Sequence, residues 1–302
     1  MTDILMEGTK NKTPEQLEEE IEMLGANINM YTTNEAIIIR GNTLVRNFDK
    51  TINLVKEILL EPRWDEEEFA RIKTSTINGI KRSDADPNAV ADRVYNKLLY
   101  GEKHIFSYPT SGTVASVEAL TIDDLKAFYN KNFSPSISSM HVVGKIDEAT
   151  TLKTLKGLET GWAAKEVTIP DYPIVNNRDK SSLYFVDIPD AKQSVINIGN
   201  IGLSRTDKDF FPAEVMNYKL GGSFSGNVNL ILREEKGYTY GARSGFSGSK
   251  IPGTFTASSS VRTNTTGESV SIFKDEIKKY KEGISQEDLD FTKNALIKSN
   301  AR

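Results

Sequence analysis

The sequence has no cysteine and only two histidines among its 302 residues. Without cysteine the chain can form no disulfide, no thiolate nucleophile and no cysteine-bound zinc site. It also lacks an apolar run long enough to cross a membrane as a helix, and residues 1–9 lack the basic region and cleavage site of a signal peptide. The formal net charge is only −4, which argues against a nucleic-acid partner, because such a partner requires a basic face. The absence of cysteine fits either a cytoplasmic or an exported location.

Two similar halves are visible in the order of the predicted elements. Hydrophobic residues make up 38% of the sequence and charged residues 26%, which is typical of a soluble globular protein. The order helix, strand, strand, helix, helix occurs twice, which indicates one fold used twice. Strand runs followed by helix runs indicate an α+β class rather than alternating βαβ units. We therefore predict two domains, 1–160 and 181–302, joined by a linker over 161–180, where prolines and asparagines occur without any period.

Local signals predict where individual elements begin and end. Thr13 and Gln16 form a capping box for a helix, and apolar residues at helical spacing predict a helix over Phe48–Leu60. Alternating apolar residues predict strands at Ser138–Ile146 and Leu183–Asp187. The chain begins abruptly in what resembles the interior of a domain and stops within a helical pattern. We therefore expect segments to be missing at both ends.

The stretch from Leu220 to Phe246 contains the residues with the clearest chemistry. It opens with a glycine-rich turn, continues as a helical segment, and passes through Gly237 into an alternating strand. Arg233 lies in the last helical turn and Tyr240 at the start of the strand, so a guanidinium and a phenol are expected to face one site. Both groups donate hydrogen bonds, which suits holding a carbonyl and stabilising an oxyanion. From the residues alone, the simpler interpretation is a surface arginine and a half-buried tyrosine.

The same stretch resembles the C-terminal-domain signature of the insulinase/pitrilysin metallopeptidases, the inverted-zincin family. In that family an Arg and a Tyr at this spacing, on Leu-Arg-Glu-x-Lys-Gly-x-x-Tyr-Gly, contact the scissile peptide. Three further stretches resemble the family in order and spacing: 6–14 (MEGTKNKTP), 98–113, and 128–135 (FYNKNFSP). The resemblance covers essentially the whole chain. It implies two homologous α+β domains of the mitochondrial-processing-peptidase type, each a mixed or antiparallel sheet with helices on one face.

The zinc motif of that family is where this sequence departs from the pattern. The motif is His-x-x-Glu-His on a helix that leads into Gly-Thr-Lys. Aligning it on residues 8–9 places its Glu at Thr2 and its second His at Asp3, while a third ligand, a Glu, falls at Asn78. Thr2 cannot act as a general base, and Asp3 and Asn78 are poor replacements in a site that needs three firm ligands. The resemblance therefore implies that this chain has no zinc site of its own.

The two histidines and a group of aspartates are interpreted as structural. His104 falls in a loop and is interpreted as solvated, while His141 falls in the predicted apolar strand and is interpreted as a satisfied strand residue. Asp84, Asp86 and Asp92 are interpreted as helix caps and solvated faces. The serines of the glycine-rich turn do not fit Gly-x-Ser-x-Gly, and no phosphate-binding loop motif occurs.

The resemblance implies one subunit of a two-chain peptidase. Some family members are heterodimers in which one subunit carries zinc and the other supplies the Arg and the Tyr. By that resemblance this chain is the non-zinc subunit, inactive as a peptidase alone, with a zinc-bearing paralogue as its partner, a peptide as substrate and no cofactor. Arg233 is then the residue that holds a substrate carbonyl, and Tyr240 the residue that donates to the oxyanion. The residues implied to position the peptide are Gly221, Gly222, Ser223, Phe224, Ser225 and Gly226.

An alternative function belongs to a different class. The chain is then a structural or peptide-binding subunit with no catalytic contribution, as family core proteins of respiratory complexes are. Gain of peptidase activity with a partner that carries His-x-x-Glu-His distinguishes the two functions. Because Gram-negative family members are usually exported, the resemblance also implies the periplasm or the cell envelope as the location.

Overall fold

The computed structural model describes residues 1–300 and divides the chain into two compact units. The first unit comprises Met1–Arg82 and Pro109–Tyr172, and the second comprises Ser83–Tyr108 and the chain from Pro173 onward. The later boundary, at 172/173, lies within the predicted linker, while the second unit also takes a segment from the first half of the chain. The domain bounds 1–160 and 181–302 stay a prediction, and residues 301 and 302 lie outside the described residues.

Twelve helices and five strands carry the fold within the described range. The helices are α1 (Thr2–Met6), α2 (Pro14–Met23), α3 (Phe48–Leu60), α4 (Glu66–Asp84), α5 (Pro87–Tyr100), α6 (Val114–Ala119), α7 (Ile122–Asn132), α8 (Glu148–Gly161), α9 (Phe210–Asn217), α10 (Asn227–Asn229), α11 (Thr266–Tyr280) and α12 (Gln286–Asn300). The strands are β1 (Asn27–Thr32), β2 (Ile37–Asn42), β3 (Gln193–Ile201), β4 (Thr239–Gly248) and β5 (Pro252–Arg262). Across residues 1–300 no helix has both the length and the apolar character needed to span a membrane.

The first unit packs helices on a two-stranded antiparallel sheet. The predicted capping box is confirmed, because Thr13 accepts from the backbone N–H of Gln16 and the Gln16 side chain accepts from that of Thr13. The helix predicted over Phe48–Leu60 is confirmed as α3. Ile28 and Met30 alternate along β1 and point into the core. The buried members of this core are Leu5, Leu17, Leu24, Ile28, Met30, Leu54, Ile58 and Leu59.

The second unit is built on a three-stranded antiparallel sheet in the order β3-β5-β4. One face of the sheet packs on α11, where Phe273 is fully buried, and on the helical segments before β4. The other face is polar and carries α5, with the Tyr95 hydroxyl 3.0 Å from Thr256 Oγ1. The buried members of the core are Ile196, Leu220, Val228, Leu232, Ala242, Ala257, Val261 and Phe273. This core lies directly under the stretch that carries the candidate site.

The predicted α+β class is confirmed, but two of the predicted strands are wrong. Ser138–Ile146 and Leu183–Asp187 form no strand. Both segments are exposed: Val143 is 99% exposed and Phe185 85%. Alternating apolar residues predict a strand only when a neighbouring strand is present to pair with the backbone. In each unit the sheet forms without these segments, so the alternating pattern alone was misleading.

Candidate functional site

Arg233 lies on a helical turn of the π type. The short helix α10 continues directly into this turn, Leu230–Glu235. Val228 and Leu232 are completely buried in the core of the second unit, which fixes the segment from below. A second π-helical turn, Tyr218–Gly222, precedes α10, and such turns are rare and occur frequently at functional sites. The Arg233 side chain is 35% exposed, so it lies at the edge of this packed segment and reaches solvent.

The glycine-rich loop approaches β4 too closely for any residue with a side chain. A Cβ at Gly221 would lie 2.5 Å from the backbone nitrogen of Ser244 and 2.8 Å from Val228. A Cβ at Gly226 would lie 2.8 Å from the Cα of Gly221. Glycine is therefore required at both positions by packing. The loop tip between them is exposed, and its Phe224 side chain is 70% exposed.

Arg233 and Phe224 are brought together by this loop. The guanidinium carbon of Arg233 lies 4.6 Å from the centroid of the Phe224 ring, within the range of a cation–π interaction. The same guanidinium forms an ion pair with the adjacent Glu234 carboxylate. Arg233 is thus held by an aromatic face and a carboxylate, both near the surface.

The predicted glycine turn between Arg233 and the strand is confirmed. Gly237 has φ +63°, a left-handed conformation that glycine adopts without strain. The N–H of Gly237 donates to the carbonyl of Arg233 at 3.2 Å, and the N–H of Tyr238 donates to that of Leu232 at 2.8 Å. These bonds close the helical segment and direct the chain into β4.

Tyr240 lies in a β-bulge at the beginning of β4. Thr239 is opposite Val261 and Ala242 is opposite Ser259, so β4 has one residue more than β5 between these pairs. The Thr239 hydroxyl accepts from the N–H of Gly241 at 3.0 Å and the Ser259 hydroxyl donates to the carbonyl of Gly241 at 2.9 Å.

The bulge directs the Tyr240 side chain into solvent, where it is 92% exposed. The expectation of a half-buried tyrosine is therefore wrong. Among residues 1–300, the Tyr240 phenol has no hydrogen-bond or ring partner, and the Arg233 guanidinium contacts Phe224 and Glu234 instead. The phenol is thus presented by a backbone that hydrogen bonds hold in place.

A polar cluster on α11 fixes the turn between Arg233 and Tyr240. The Glu268 carboxylate accepts from the Tyr238 hydroxyl at 2.6 Å and from the Lys236 ammonium at 2.9 Å. The bond from Tyr238, and then that from Lys236, lowers the pKa of Glu268, while the same carboxylate raises the pKa values of Tyr238 and Lys236. The Arg262 guanidinium lies 5.6 Å from the Tyr238 ring.

Two buried asparagines were missed by the sequence reasoning. Asn229 donates to the carbonyl of Phe224 at 2.7 Å and accepts from the N–H of Ala242 at 3.0 Å. Asn217 donates to the carbonyl of Ser244 at 2.9 Å and accepts from its hydroxyl at 2.6 Å. The available signal was Asn229 itself, a short polar residue within the apolar run 228–232, because a buried amide requires specific partners.

The positions aligned with the zinc motif lie in the first unit and do not fit a zinc ion. Thr2 is buried on α1, Asp3 on the same helix is exposed, and Asn78 is exposed on α4. A hydroxyl and an amide are not ligands that form a tetrahedral zinc site with one carboxylate. Across residues 1–300, no three or more His, Cys, Asp or Glu side chains are grouped closely enough to hold a metal ion.

Both histidine interpretations are wrong in their details. His104 is only 3% exposed, stacks on Tyr100 with ring centroids 4.9 Å apart, and accepts at Nδ1 from the N–H of Phe106 at 3.2 Å. His141 is exposed and lies outside any strand. The loop sequence around His104 gave no sign of this aromatic cluster, because its packing depends on Tyr100 at the end of α5.

Comparison with protein families gives two matches that together cover most of the chain. Residues 119–296 match the family described as the peptidase M16 inactive domain. Residues 1–107 match the family described as insulinase, peptidase family M16. The first match alone covers more than half of the chain.

Related proteins and solved structures agree with these matches. An uncharacterized zinc protease of Streptomyces coelicolor is 24% identical over 91% of this chain and 60% of its own length. A protein of Helicobacter pylori named as a non-peptidase homolog is 24% identical over 98% of this chain and 68% of its own length. A crystal structure of a peptidase M16 inactive domain from Pseudomonas fluorescens has a TM-score of 0.92 and 23% identity, covering 100% of this chain and 73% of that chain. The chain thus spans about 60–70% of the length of such relatives, and the structural likeness concerns the fold.

Proposed function

The chain belongs to the insulinase family of peptidases, family M16, and from this premise we propose that it is the non-zinc subunit of a heterodimeric peptidase. The match of residues 119–296 to the inactive-domain family supports the non-zinc role. In the proposed assembly a zinc-bearing paralogue cleaves the peptide. This chain supplies Arg233 to hold a substrate carbonyl and Tyr240 to donate a hydrogen bond as negative charge develops on the reacting oxygen.

One combination of observations carries the proposal. The positions aligned with the metal ligands hold Thr2, Asp3 and Asn78, whereas the two hydrogen-bond donors are both present at the surface of the second unit. Arginine and tyrosine are also among the residue types enriched at binding hot spots. The exposed phenol supports this role, because hydrogen bonds hold the backbone of the bulge while the phenol hydroxyl is left to donate to a second molecule.

Partner-dependent cleavage tests the proposal. The chain and a zinc-bearing M16 chain from the same genome are purified separately, combined, and assayed with a library of quenched fluorescent peptides. We expect neither chain to cleave alone and the mixture to cleave. Tyr240→Phe in the mixture is expected to lower kcat by about 10²–10³-fold, the usual cost of a lost oxyanion donor, with KM nearly unchanged.

A matched control separates this effect from a general loss of an exposed phenol. Tyr184 is an exposed tyrosine of the same unit, and Tyr184→Phe is expected to leave both kcat and KM unchanged. Normal cleavage by the Tyr240→Phe mixture would remove the catalytic role.

A structural or peptide-binding subunit is the second candidate function. The observation that favours it is that Arg233 already has two partners, the Phe224 ring and the Glu234 carboxylate. A guanidinium with these contacts can serve to fix the loop instead of a substrate. If this function is correct, the Arg233→Ala and Tyr240→Phe variants both assemble with the zinc-bearing partner, and the assembled enzymes cleave peptide at the normal rate.

We also propose the periplasm or the cell envelope as the location, on the family resemblance alone. Fractionation of the source cells with antibody detection tests it. Recovery of the chain in the cytoplasmic fraction would contradict the proposal.

A further inference from the structure

Asn229 connects the two parts of the candidate site through one buried side chain. Its amide nitrogen donates to Phe224 in the glycine-rich loop, and its amide oxygen accepts from Ala242, two residues beyond Tyr240. The residue itself is buried. We propose that Asn229 is a positioning residue that holds the glycine-rich loop at a fixed place relative to the strand that presents Tyr240. The catalytic meaning of this role rests on the proposed function.

The orientation of the amide is determined by its two partners. The backbone N–H of Ala242 can only donate, and the backbone carbonyl of Phe224 can only accept. The oxygen of the Asn229 side chain must therefore face Ala242 and its nitrogen must face Phe224. The 2.7 Å and 3.0 Å bonds are satisfied together in this orientation alone, so the side chain cannot rotate without losing both.

The link reaches both donors of the site. At one end, Phe224 carries the ring that contacts the Arg233 guanidinium at 4.6 Å. At the other end, Ala242 follows the bulge that exposes Tyr240. Asn217 makes a second pair of bonds to β4, at Ser244, but none of these reaches the glycine-rich loop tip. The two asparagines are equally buried, and of the two only Asn229 has a side-chain hydrogen bond to the loop as well as one to β4.

The substitution Asn229→Asp removes one of the two hydrogen bonds and keeps the other. An ionised carboxylate still accepts from Ala242 but cannot donate to Phe224. We expect the loop to open more often, which is measurable as hydrogen exchange at the amide of Gly226, whose N–H donates to the carbonyl of Ser223 at 3.0 Å. The expected increase is about tenfold at neutral pH, the effect of losing one buried hydrogen bond.

Acidification provides a rescue that a general loss of structure would not give. A protonated carboxyl has an O–H that can donate to Phe224 in place of the amide. Burial next to a carbonyl raises the pKa of such a carboxyl above its usual value. Gly226 exchange in Asn229→Asp, corrected for intrinsic rates, should therefore return toward the wild-type value as the pH falls. Asn229→Ser, whose hydroxyl is too short to reach both groups, should show faster exchange at every pH and serves if the aspartate variant does not fold.

Asn217→Asp is the matched control, with the same substitution at an equally buried amide on β4. It is expected to leave Gly226 exchange unchanged. Wild-type exchange at Gly226 in folded Asn229→Asp at neutral pH would overturn the proposal, and so would an equal increase in Asn217→Asp.

The activity assay with the zinc-bearing chain keeps this inference separate from the proposed function. If both hold, Asn229→Asp lowers kcat/KM, because the loop and the strand that presents Tyr240 are no longer held in a fixed relation, while Tyr240→Phe lowers kcat with KM nearly unchanged. Normal cleavage by Tyr240→Phe removes the proposed function, but the exchange of the chain alone still decides the role of Asn229. An unchanged kcat/KM in Asn229→Asp, with Tyr240→Phe impaired, would contradict the positioning role.

Discussion

Each unit has glycine turns flanked by polar or aromatic side chains, and the two units differ in where those side chains point. In the first unit the turn at Gly8 is followed by Thr9 and Lys12, whose polar atoms bond to carboxylates of the same unit. In the second unit the turns at Gly221–Gly226 and Gly237 leave Phe224 and Tyr240 largely exposed. We call the turn at Gly8 the closed turn, because its polar side chains bond within the unit. We call the region from Gly221 to Tyr240 the open turn, because it presents side chains to solvent.

The closed turn is organised around the carboxylate of Glu57. Its oxygens accept from Thr9 Oγ1 at 2.6 Å, from Asn11 Nδ2 at 3.2 Å and from Lys12 Nζ at 2.6 Å. Lys12 also pairs with Glu20 at 3.3 Å. Burial alone would raise the pKa of Glu57, but these hydrogen bonds outweigh it and hold the pKa below its usual value. Every polar group here has a partner within the chain, which is what a stabilising network requires.

The open turn shows the opposite distribution. Its backbone is fixed by the Gly221 contacts, by Asn229 and by the bulge bonds of Thr239 and Ser259, while the Tyr240 phenol is left to solvent. In the first unit the hydrogen bonds join the side chains around Glu57 to one another. In the second unit they hold the backbone around the glycine-rich loop and the bulge. A rigid frame with unsatisfied surface groups is the arrangement that suits contact with a second molecule.

Among the substitutions in the glycine turns, Gly221→Ala is expected to have the largest effect on stability. The added Cβ would meet the backbone of β4 at 2.5 Å, so the loop or the strand must shift at a cost of about 3 kcal/mol in the free energy of unfolding. Urea unfolding followed by circular dichroism measures it. Both tryptophans, Trp64 and Trp162, lie in the first unit, so a transition followed by their fluorescence should change less than the circular dichroism.

Gly267→Ala is the control for this prediction. Gly267 lies in the first turn of α11, and nothing lies within 4 Å of an added Cβ. This substitution is expected to be neutral or to stabilise by up to about 1 kcal/mol. Equal unfolding midpoints for Gly221→Ala and the wild type would show that the open turn has no rigid frame.

Glu57→Ala is expected to weaken the first unit by about 2 kcal/mol, because the fully buried Thr9 hydroxyl loses its acceptor and Lys12 loses one of two partners. The loss should appear in the tryptophan fluorescence transition. Glu19→Ala, an exposed glutamate on α2, serves as the control and should change stability little. Equal losses in both variants would mean that the closed network does not stabilise the unit.

The same network predicts a pH dependence whose sign follows from the two pKa shifts. The pKa of Glu57 is lowered, so its contribution is present above the unfolded value and is lost as pH falls through the folded one. The pKa of Lys12 is raised, chiefly by its bond to Glu57, so its contribution is lost only as pH rises through the folded value. The difference in stability between wild type and Glu57→Gln should therefore be constant from roughly pH 5 to pH 10 and shrink below it. A difference that grows on acidification would have the wrong sign.

Phe224→Ala should have the smallest effect on stability. The ring is largely exposed and its contact with Arg233 lies at the surface, so the unfolding free energy should change by no more than about 1 kcal/mol. Phe273→Ala removes the same side chain from the core of the same unit and should cost about 3–5 kcal/mol. Similar losses in the two variants would show that the loop tip belongs to the core.

Sequence reasoning succeeded where the signal was local. The capping box at Thr13, the bounds of α3 and the glycine turn at Gly237 each depend on residues within a few positions of one another. The strand predicted at Leu183–Asp187 failed because a strand needs a partner that the local pattern does not specify. His104 was misread for a related reason, since its burial depends on rings contributed by Tyr100 and Phe106.

The candidate site shows the same limit. The sequence predicted that Arg233 and Tyr240 flank a glycine turn, and the turn is present. The π-helical turn, the bulge and the bonds of Asn229 were not predicted, because each is a shift in hydrogen bonding that leaves the apolar pattern unchanged. Whether the two side chains act in catalysis stays a prediction.

The bulge in β4 also determines which face of the sheet each side chain of that strand lies on. From Thr239 to Ala242 the strand advances three residues, while β5 advances two from Val261 to Ser259. Side chains in a regular strand alternate between the two faces with a period of two, so residues three apart would lie on opposite faces. The extra residue in β4 allows both Thr239 and Ala242 to pair with residues of the core face. Deleting Gly241 would restore regular alternation and place Tyr240 opposite Ser260, on the polar face of the sheet. The solvent exposure of the phenol therefore follows from the number of residues in β4 between Thr239 and Ala242, and not from the chemistry of the tyrosine.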